Sequence, residues 1–353
     1  MVSHFWLDFN LLRTLEFSHM HVLIGTNTLL AGSGIDRVVF IQAEELAKQG
    51  HQVIVLCFET SGEIRGPFEV VALPHAGSVS LERVRRLCPF LRWSTRQKIQ
   101  QQLNWCDTLY AHQYPWSVIG VWAKRKGKRF IQLNHGVADS ATFQRWTHRI
   151  YVSWINRLAI RYGRQADEVW SVSQTLADEW KVLTGQTSLV WRPQESWVEH
   201  IPERTQEQAR VKLKQQVPYF LFVGRISPHK GIHVLLEVMR KVWEVQPQIE
   251  LQIIGKVADG GYAQQLRQAA GEKVRFLGVV SDQELGLWYQ GCAAYVTAAQ
   301  WEGWNLPIAE ALRFSRPVVC FDLPVHREFK DPLVHLVPLQ DIEEFARTCL
   351  KLI

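Results

Sequence analysis

Short apolar runs alternate with longer amphipathic stretches along most of this chain, and the alternation starts twice. It begins at Met20, where residues 21–25 form the first predicted strand, and it restarts at Tyr219 with a predicted strand over residues 219–223. Strands joined by helix-length connections form parallel βαβ units. A chain of 353 residues is also long enough for two domains. We therefore predict an α/β protein with two open, doubly wound parallel sheets.

The predicted domain boundaries follow from where the alternation stops and restarts. We expect an N-terminal extension, a first domain, a linker and a second domain at residues 1–19, 20–191, 192–217 and 218–353. The extension lacks the basic start and the small-residue cleavage site of a signal peptide. It is either a true extension or the product of a start codon upstream of Met20.

Composition narrows the expected partners and location. The net charge of +6 and the pI near 9.0 favour acidic partners such as phosphates, nucleotides, anionic lipid or nucleic acid. The six cysteines are scattered without metal-binding spacing and lie mostly in apolar contexts, as reduced thiols of cytoplasmic proteins do. No run approaches the roughly 18 apolar residues of a membrane span. We expect a cytoplasmic protein, at most peripheral at the inner face of the membrane.

Two stretches combine basic and aromatic residues, at 80–104 and at 145–164. Each is interpreted either as a surface helix with solvated charges or as an interfacial patch for anionic lipid or a lipid-linked phosphate. Nucleic acid would also suit the charge, but no recognition motif accompanies it. The predicted partners therefore include an anionic membrane surface and exclude nucleic acid.

The first turn of the second half contains two cations. Residues 222–231 join the strand from Tyr219 to a helix from about Ile232, and they place Arg225 and Lys230 beside the N-terminus of that helix. Arginine offers a planar fork and lysine a point charge, a combination that suits a diphosphate. The alternative is a pair of solvated loop cations.

A second glycine-containing loop, residues 300–305, follows a predicted buried strand. Pro307 then suits the first turn of a helix that we predict over residues 306–314. Such a connection aims free backbone N–H groups at one point, where an anion can bind. Glu302 in the loop and Glu310 in the helix could each accept a hydrogen bond from a hydroxyl, which suits a nucleotide-sugar. Solvated glutamates that stabilise the helix dipole are the alternative.

In the first half, polar residues follow three predicted strands. His112 and His135 each sit at a strand's carboxyl end, the edge at which open α/β sheets bind ligands, and Ser173 follows a third strand. Gly34 belongs to a glycine-bearing turn that could hold a pyrophosphate, but the turn lacks the third glycine of a dinucleotide fingerprint. A nicotinamide dinucleotide is therefore disfavoured, and no cofactor is expected. For His112 and His135, the alternative to a ligand-binding role is that each is a hydrogen-bonded structural histidine.

In their order and spacing, these segments resemble the retaining glycosyltransferases of family 4, which have the GT-B fold of two Rossmann-like domains facing across a cleft. The resemblance covers about residues 20–340 and is strongest at residues 222–231, 276–292 and 302–310. The last segment contains that family's two glutamates with seven residues between them. The resemblance implies a hexosyltransferase with a UDP- or GDP-sugar donor and a saccharide or lipid-linked saccharide acceptor, in polysaccharide, glycolipid or glycan biosynthesis.

The resemblance also implies a role for each candidate residue. Arg225 and Lys230 would bind the donor diphosphate, which Gly34 would approach from the opposite domain. Glu302 and His135 would act at the transferred sugar. The remaining assignments are the donor phosphate and sugar for Gly303, Trp304, Asn305 and Leu306, the ribose hydroxyls for Glu310, and the cleft for His112 and Ser173. No metal is expected, because no metal-binding Asp-x-Asp motif stands convincingly in place.

Three features depart from that family. Asp36 stands where glutamate is common, and residues 191–194 replace the usual Asn-Gly-Val-Asp hinge. The chain ends at Ile353, so we expect the closing helix that returns to the first domain to be missing or shortened. Two alternatives to glycosyl transfer stay open: a catalytically silent scaffold of the same fold, and an epimerase or phosphorylase of similar fold.

Overall fold

The computed structural model describes residues 19–30, 34–60, 66–74, 92–136, 146–193 and 217–353. The predicted extension up to residue 18, most of the predicted linker and residues 80–91 of the first basic stretch lie outside these ranges. Two parallel sheets contain all of the strands that the structure describes.

The first sheet consists, in the described residues, of β1 (His21–Leu29), β2 (Gln52–Thr60), β3 (Glu69–Ala72), β4 (Thr108–Ala111), β5 (Arg129–Asn134), β6 (Glu168–Ser171) and β7 (Leu189–Val190). Its strand order is β3-β2-β1-β4-β5-β6-β7. The helices of this half are α1 (Gly34–Lys48), α2 (Trp93–Trp105), α3 (Trp116–Arg125), α4 (Trp146–Gly163) and α5 (Gln174–Thr184). Helix α1 packs on one face of the sheet, and α2, α3 and α4 pack on the other.

The second sheet consists of β8 (Tyr219–Val223), β9 (Glu250–Ile254), β10 (Val274–Gly278), β11 (Ala294–Thr297), β12 (Val318–Phe321) and β13 (Val334–Val337). Its strand order is β10-β9-β8-β11-β12-β13. The helices are α6 (Ile232–Val245), α7 (Gly260–Ala269), α8 (Asp282–Gly291), α9 (Leu306–Arg313) and α10 (Ile342–Leu350). The strands are apolar on both faces, as expected when helices cover a parallel sheet on both sides.

In each sheet the chain crosses three strands in one direction and then turns back. The reversal falls between β1 and β4 in the first sheet and between β8 and β11 in the second. Connections on the two sides of such a point leave in opposite directions, so a crevice opens at the carboxyl ends of those strands. The two crevices bring the candidate residues of both halves to one place.

The predicted α/β architecture is confirmed. Apolar runs at residues 108–111, 219–223 and 250–254 predict strands, and β4, β8 and β9 have those same boundaries. β1 is longer than the predicted residues 21–25, because Thr28 and Leu29 continue the pairing with β2. The polar residues Asn27 and Thr28 gave no strand signal. The spacing of Ser281 and Glu284 predicts a capping box, and it is present at the start of α8. Strand β3 was not predicted, since it is a four-residue edge strand.

The sequence also predicted that the chain has no membrane span and that its cysteines are reduced thiols. None of the described helices combines the length and the apolar character needed to cross a membrane. The five cysteines in the described ranges are buried free thiols, and Cys88 lies outside those ranges.

Candidate functional site

A cleft of about 700 Å³ opens between the carboxyl ends of the two sheets. The first half contributes the start of α1, the ends of β4 and β5 and one side of α4, and the second half contributes the turns after β8 and β11. Eleven of the twelve residues nominated from the sequence line this cleft, and Ser173 does not.

The turn after β8 holds its two cations at the cleft wall. Arg225 lies two residues after the end of β8 and is exposed, while Lys230 ends the short 3₁₀ turn Pro228–Lys230. Gly231 is the N-cap of α6 with φ +68°, and a Cβ there would lie 1.9 Å from the carbonyl oxygen of Ala298. Only glycine tolerates both the conformation and this close approach. The cationic turn therefore packs directly against the end of β11.

That packing brings a cation onto one of the two candidate carboxylates. Lys230 Nζ lies 2.5 Å from Glu302 Oε1, and the two side chains are 17% and 8% exposed. The same surroundings bury His229, and burial followed by the neighbouring Lys230 charge lowers the pKa of its imidazole to about 4. A charge pair this poorly solvated is sensitive to any anion that enters the cleft.

The backbone at the start of α9 presents unused hydrogen-bond donors. In the part of the chain that the structure describes, no protein acceptor is found for the N–H groups of residues 303–306. Pro307 takes one of the first helical positions, where its missing N–H costs nothing. Unused N–H groups at a helix N-terminus attract anions through both hydrogen bonds and the helix dipole.

A buried histidine that the sequence analysis missed holds this loop in place. Asn305 does not cap α9 with its side chain; its Nδ2 instead lies 3.2 Å from Nε2 of His326. The His326 Nδ1 lies 2.7 Å from the Phe321 carbonyl oxygen, so that ring nitrogen donates and Nε2 accepts from Asn305. His326 is fully buried, and burial lowers its pKa. No local motif marks it, because its partners are set by the end of β12.

The second candidate carboxylate, Glu310, is buried in α9 and lines the cleft. The hydroxyl of Tyr289, on α8, donates to Glu310 Oε2 at 2.5 Å. Burial, and then the Glu310 charge, raise the pKa of Tyr289 well above its ordinary value, so this hydroxyl stays protonated as a donor. In the sequence Tyr289 is indistinguishable from the apolar core residues around it. The tyrosine fixes the carboxylate in its site.

The two candidate histidines of the first half contact each other. His112 Nδ1 lies 2.9 Å from His135 Nε2, and His112 Nε2 lies 2.7 Å from Gln42 Oε1. With the Gln42 oxygen as acceptor, His112 donates through Nε2, and His135 must donate to His112. Burial lowers the pKa of His135 to about 4, and burial together with His135 lowers that of His112 well below its ordinary value. Both rings are therefore neutral near pH 7.

Gly34 and Ser173 have contrasting surroundings. Gly34 is the exposed first residue of α1 on the cleft wall, and no atom of the described residues lies within 4 Å of the position that a Cβ would take. Ser173 is fully buried, and its hydroxyl accepts the N–H of Leu176 as the N-cap of α5. Its cap role explains why the structure does not bring it to the cleft.

The two halves touch at the centre of the cleft. A Cβ on Gly303 would lie 2.5 Å from the carbonyl oxygen of His135, so the loop before α9 sits directly against the end of β5. Beside this contact, Leu306 packs against Val38, Val172 and Leu176 of the first half. Trp304 stacks on Phe329, at 4.3 Å between ring centroids. The loop before α9 is thus built into the contact between the halves.

Comparisons with known proteins decide the family. The family model described as "Glycosyltransferase Family 4" matches residues 32–187, and the model described as "Glycosyl transferases group 1" matches residues 203–353. The two models together span most of the chain. The chain belongs to the family 4 glycosyltransferases. The resemblance inferred from the second-half segments is confirmed.

Among curated proteins, the chain is similar to mannosyltransferases, including the following two. It is 35% identical over 123 residues to the O-antigen chain mannosyltransferase RfbU of Salmonella typhimurium, a match that covers 33% of each chain. It is 26% identical over 338 residues to the phosphatidyl-myo-inositol mannosyltransferase of Mycobacterium leprae, covering 91% of this chain and 83% of that one. The chain thus spans about a third of the Salmonella relative that it matches.

Solved structures establish the GT-B fold of the chain. Sucrose-phosphate synthase from Thermosynechococcus elongatus has a TM-score of 0.73 at 18% identity, covering 94% of this chain and 89% of that chain. HepE of Anabaena, in complex with UDP and glucose, has a TM-score of 0.71 at 18% identity, covering 94% and 90%. At such identities the likeness concerns the fold alone, and the predicted pair of Rossmann-like domains is confirmed.

A second contact between the two halves is electrostatic. Glu328 of the second half accepts the backbone N–H groups of Gln174 and Thr175 at 3.0 and 2.8 Å, and Arg192 approaches to 2.7 Å. Its carboxylate thereby caps the N-terminus of α5 from the other domain. Burial alone would raise the pKa of Glu328, but the hydrogen bonds from Thr175, Gln174 and Arg192 outweigh burial and hold it below its ordinary value.

We expect Glu328→Gln to shift the protein toward an open cleft. The amide keeps one acceptor oxygen and puts its NH2 group against one of the two N–H groups, of Gln174 or of Thr175, which costs about 1–3 kcal/mol of interdomain stability. Because the folded pKa of Glu328 is depressed, its contribution is complete above its unfolded pKa and disappears as the pH falls through the folded one. Small-angle scattering should show a larger radius for the variant near pH 7, and the difference should vanish in acid.

The matched control is Asp322→Asn. Asp322 is also an acid paired with an arginine, Arg327 at 2.6 Å, but both residues belong to the second half. An identical radius for Glu328→Gln and Asp322→Asn at neutral pH would contradict a closing role for Glu328.

Proposed function

We propose that this glycosyltransferase moves a hexose, mannose in the first instance, from a UDP- or GDP-sugar to a saccharide or lipid-linked saccharide, with retention of anomeric configuration. One observation carries the proposal: two cations and the unused N–H groups of residues 303–306 converge on the cleft beside two carboxylates. The mannosyltransferase relatives support the choice of sugar. The complex of HepE with UDP and glucose supports a nucleoside diphosphate donor. Polysaccharide or glycolipid biosynthesis is the setting that these relatives favour.

The proposed chemistry places the developing negative charge on the diphosphate. The acceptor oxygen bonds to the anomeric carbon on the face from which the diphosphate departs, and the bond between that carbon and the diphosphate oxygen breaks. The acceptor's proton passes to a departing phosphate oxygen. Products are the glycoside, with its configuration retained, and a nucleoside diphosphate. Fixed cations and amide donors would stabilise the leaving group, with no metal or other cofactor required.

Each nominated residue has a task in this proposal. Arg225 and Lys230 would hold the diphosphate, and Lys230 would exchange its contact with Glu302 for the phosphate oxygens. Glu302, released from that pair, would face the transferred sugar together with the neutral His135 ring. Glu310, oriented by Tyr289, would accept hydrogen bonds from the ribose hydroxyls. In the direct same-face step Glu302 would act as an electrostatic partner, and trapping of a glycosyl-enzyme intermediate would instead make it a nucleophile.

The test is an assay of the purified chain with UDP- and GDP-sugars and a saccharide acceptor. We expect transfer from one donor, retained configuration by NMR of the product, and full activity in EDTA. Tight donor binding without transfer to any acceptor would instead favour a silent scaffold. Isomerised sugar nucleotide, or phosphorolysis without acceptor, would favour an epimerase or phosphorylase and would contradict the proposal.

A further inference from the structure

We propose that the outer surface of α2, α3 and α4 is a docking site for an anionic lipid membrane. This three-helix surface is defined here by Trp93, Arg96, Trp146, Trp154, Arg157 and Arg161. It lies on the opposite face of the first sheet from α1, and it is separate from the donor-binding loops of the second half. The proposal concerns a partner surface and does not depend on which donor or sugar the cleft takes.

The charge of these helices is one-sided. Residues 92–105, 116–126 and 146–164 contain ten lysines and arginines and no aspartate or glutamate. The helix on the other face, α1, contains three acidic residues. In the described residues, no ion pair involves Arg157 or Arg161. A helical layer that carries only cations is complementary to a surface that carries only anions.

The exposed tryptophans coincide with this charge. Every exposed tryptophan in the described ranges lies on α2 or α4: Trp93, Trp146 and Trp154 are 68%, 71% and 59% exposed. A large aromatic ring in bulk water is costly, whereas indole rings are favoured at the boundary between lipid headgroups and acyl chains. Exposed aromatic rings also stack on the bases of single-stranded nucleic acid, so binding to vesicles and to an oligonucleotide must be compared.

Helix α4 carries large apolar residues and cationic residues on one face. Trp146, Ile150, Trp154, Arg157 and Arg161 are separated by four, four, three and four positions, so they share one helical face. All five are exposed. Such a face lies flat in an interface with its aromatic rings inserted and its cations at the headgroups.

The inner side of α4 faces the cleft. The cleft is lined there by Ile155, Ala159 and Ile160. In the sequence these residues are interleaved with the exposed ones, at the spacing of a second helical face. Helices α2 and α4 lead into β4 and β6, so both begin at the carboxyl edge of the sheet, where the cleft is. Trp93 and Trp146 therefore lie at the cleft end of the three-helix surface. A membrane on this surface would present its lipids beside the cleft.

The test compares binding to vesicles of phosphatidylcholine alone with binding to vesicles in which a third of the lipid is phosphatidylglycerol. We expect flotation with the anionic vesicles only, weakened by added salt. Tryptophan fluorescence should be quenched when the lipids carry bromine on their acyl chains. The double variant Arg157→Gln/Arg161→Gln should bind about 30-fold more weakly, which corresponds to about 1 kcal/mol for each cation. Trp146→Ala/Trp154→Ala should weaken binding on the order of tenfold.

Two controls remove two cations or two exposed apolar side chains elsewhere. Arg240→Gln/Lys351→Gln removes two exposed cations of the second domain, and Val182→Ala/Leu183→Ala trims two exposed apolar residues of α5. Both should bind vesicles as the unmodified chain does. All variants should keep their thermal unfolding midpoints and their rate of transfer to a water-soluble acceptor, which separates this proposal from the proposed function.

Three results would overturn the proposal. The first is no flotation of the unmodified chain with anionic vesicles at low salt. The second is arginine-pair and tryptophan-pair variants that bind like the controls. The third is binding to a single-stranded oligonucleotide that depends on Arg157 and Arg161 while vesicles are ignored, which would assign the surface to nucleic acid.

Discussion

Lys230→Met should lower the rate of glycosyl transfer by about 10²–10³-fold, the loss typical of removing one fixed group that stabilises a developing negative charge. The lysine is the less exposed of the two cations at the cleft and already lies 2.5 Å from a carboxylate. Methionine keeps most of the side-chain volume and removes the charge. Steady-state kinetics with saturating acceptor measure the effect, which should appear mainly in kcat.

A double variant separates the effect of Lys230 on the transition state from its effect on folding stability. Lys230→Met alone leaves Glu302 without its cation at 8% exposure, which should cost about 1–3 kcal/mol of unfolding free energy. Lys230→Met/Glu302→Gln should recover most of that stability without recovering activity. Lys256→Met, an exposed cation outside the cleft lining, is the control and should change neither. Near-normal kcat in Lys230→Met would remove the lysine from the proposed mechanism.

Gly303→Ala should lower kcat/KM by about 10²-fold while leaving each domain folded. The new Cβ would lie 2.5 Å from the His135 carbonyl oxygen, a backbone atom that cannot rotate away. The donor loop and the end of β5 must therefore move apart, which displaces the N–H groups of residues 303–306. Donor titration by calorimetry and steady-state kinetics report the loss.

Gly260→Ala is the matched control for this substitution. Gly260 is the first residue of α7, and nothing lies within 4 Å of its added Cβ. Its kinetics should equal those of the unmodified chain. Equal kinetics for Gly303→Ala as well would show that contact between the halves at His135 does not position the donor loop.

Much of the fold could be predicted because its signals are local. Apolar runs flanked by turn residues located β4, β8 and β9 to the residue, and Ser281 with Glu284 located the start of α8. Strand and helix periods depend on neighbours within a few positions, and so one sequence suffices to find them. Segments stabilised by pairing with distant residues were not predicted. The second half of β1, for example, is a strand because β2 lies beside it.

In the candidate site, too, residues with a local sequence signal were predicted, and contacts between distant residues were not. Loop chemistry nominated Arg225, Lys230 and Glu302, since a strand followed by a glycine turn and a helix has a known geometry wherever it occurs. Their roles remain predictions. The sequence could not show that Lys230 and Glu302 pair across 72 positions, because that contact depends on how closely the turn after β8 packs on β11.

The sequence by itself determined two doubly wound domains, the loops that carry cations, carboxylates and free N–H groups, and the family to which they belong. Only the tertiary structure decided which polar groups meet. It placed Tyr289 on Glu310 and His326 on Asn305, and it set Glu328 as a cap on a helix of the other domain. It also turned Ser173 away from the cleft. A residue's type and local element follow from its neighbours in the chain, whereas its partners follow from how separate elements pack.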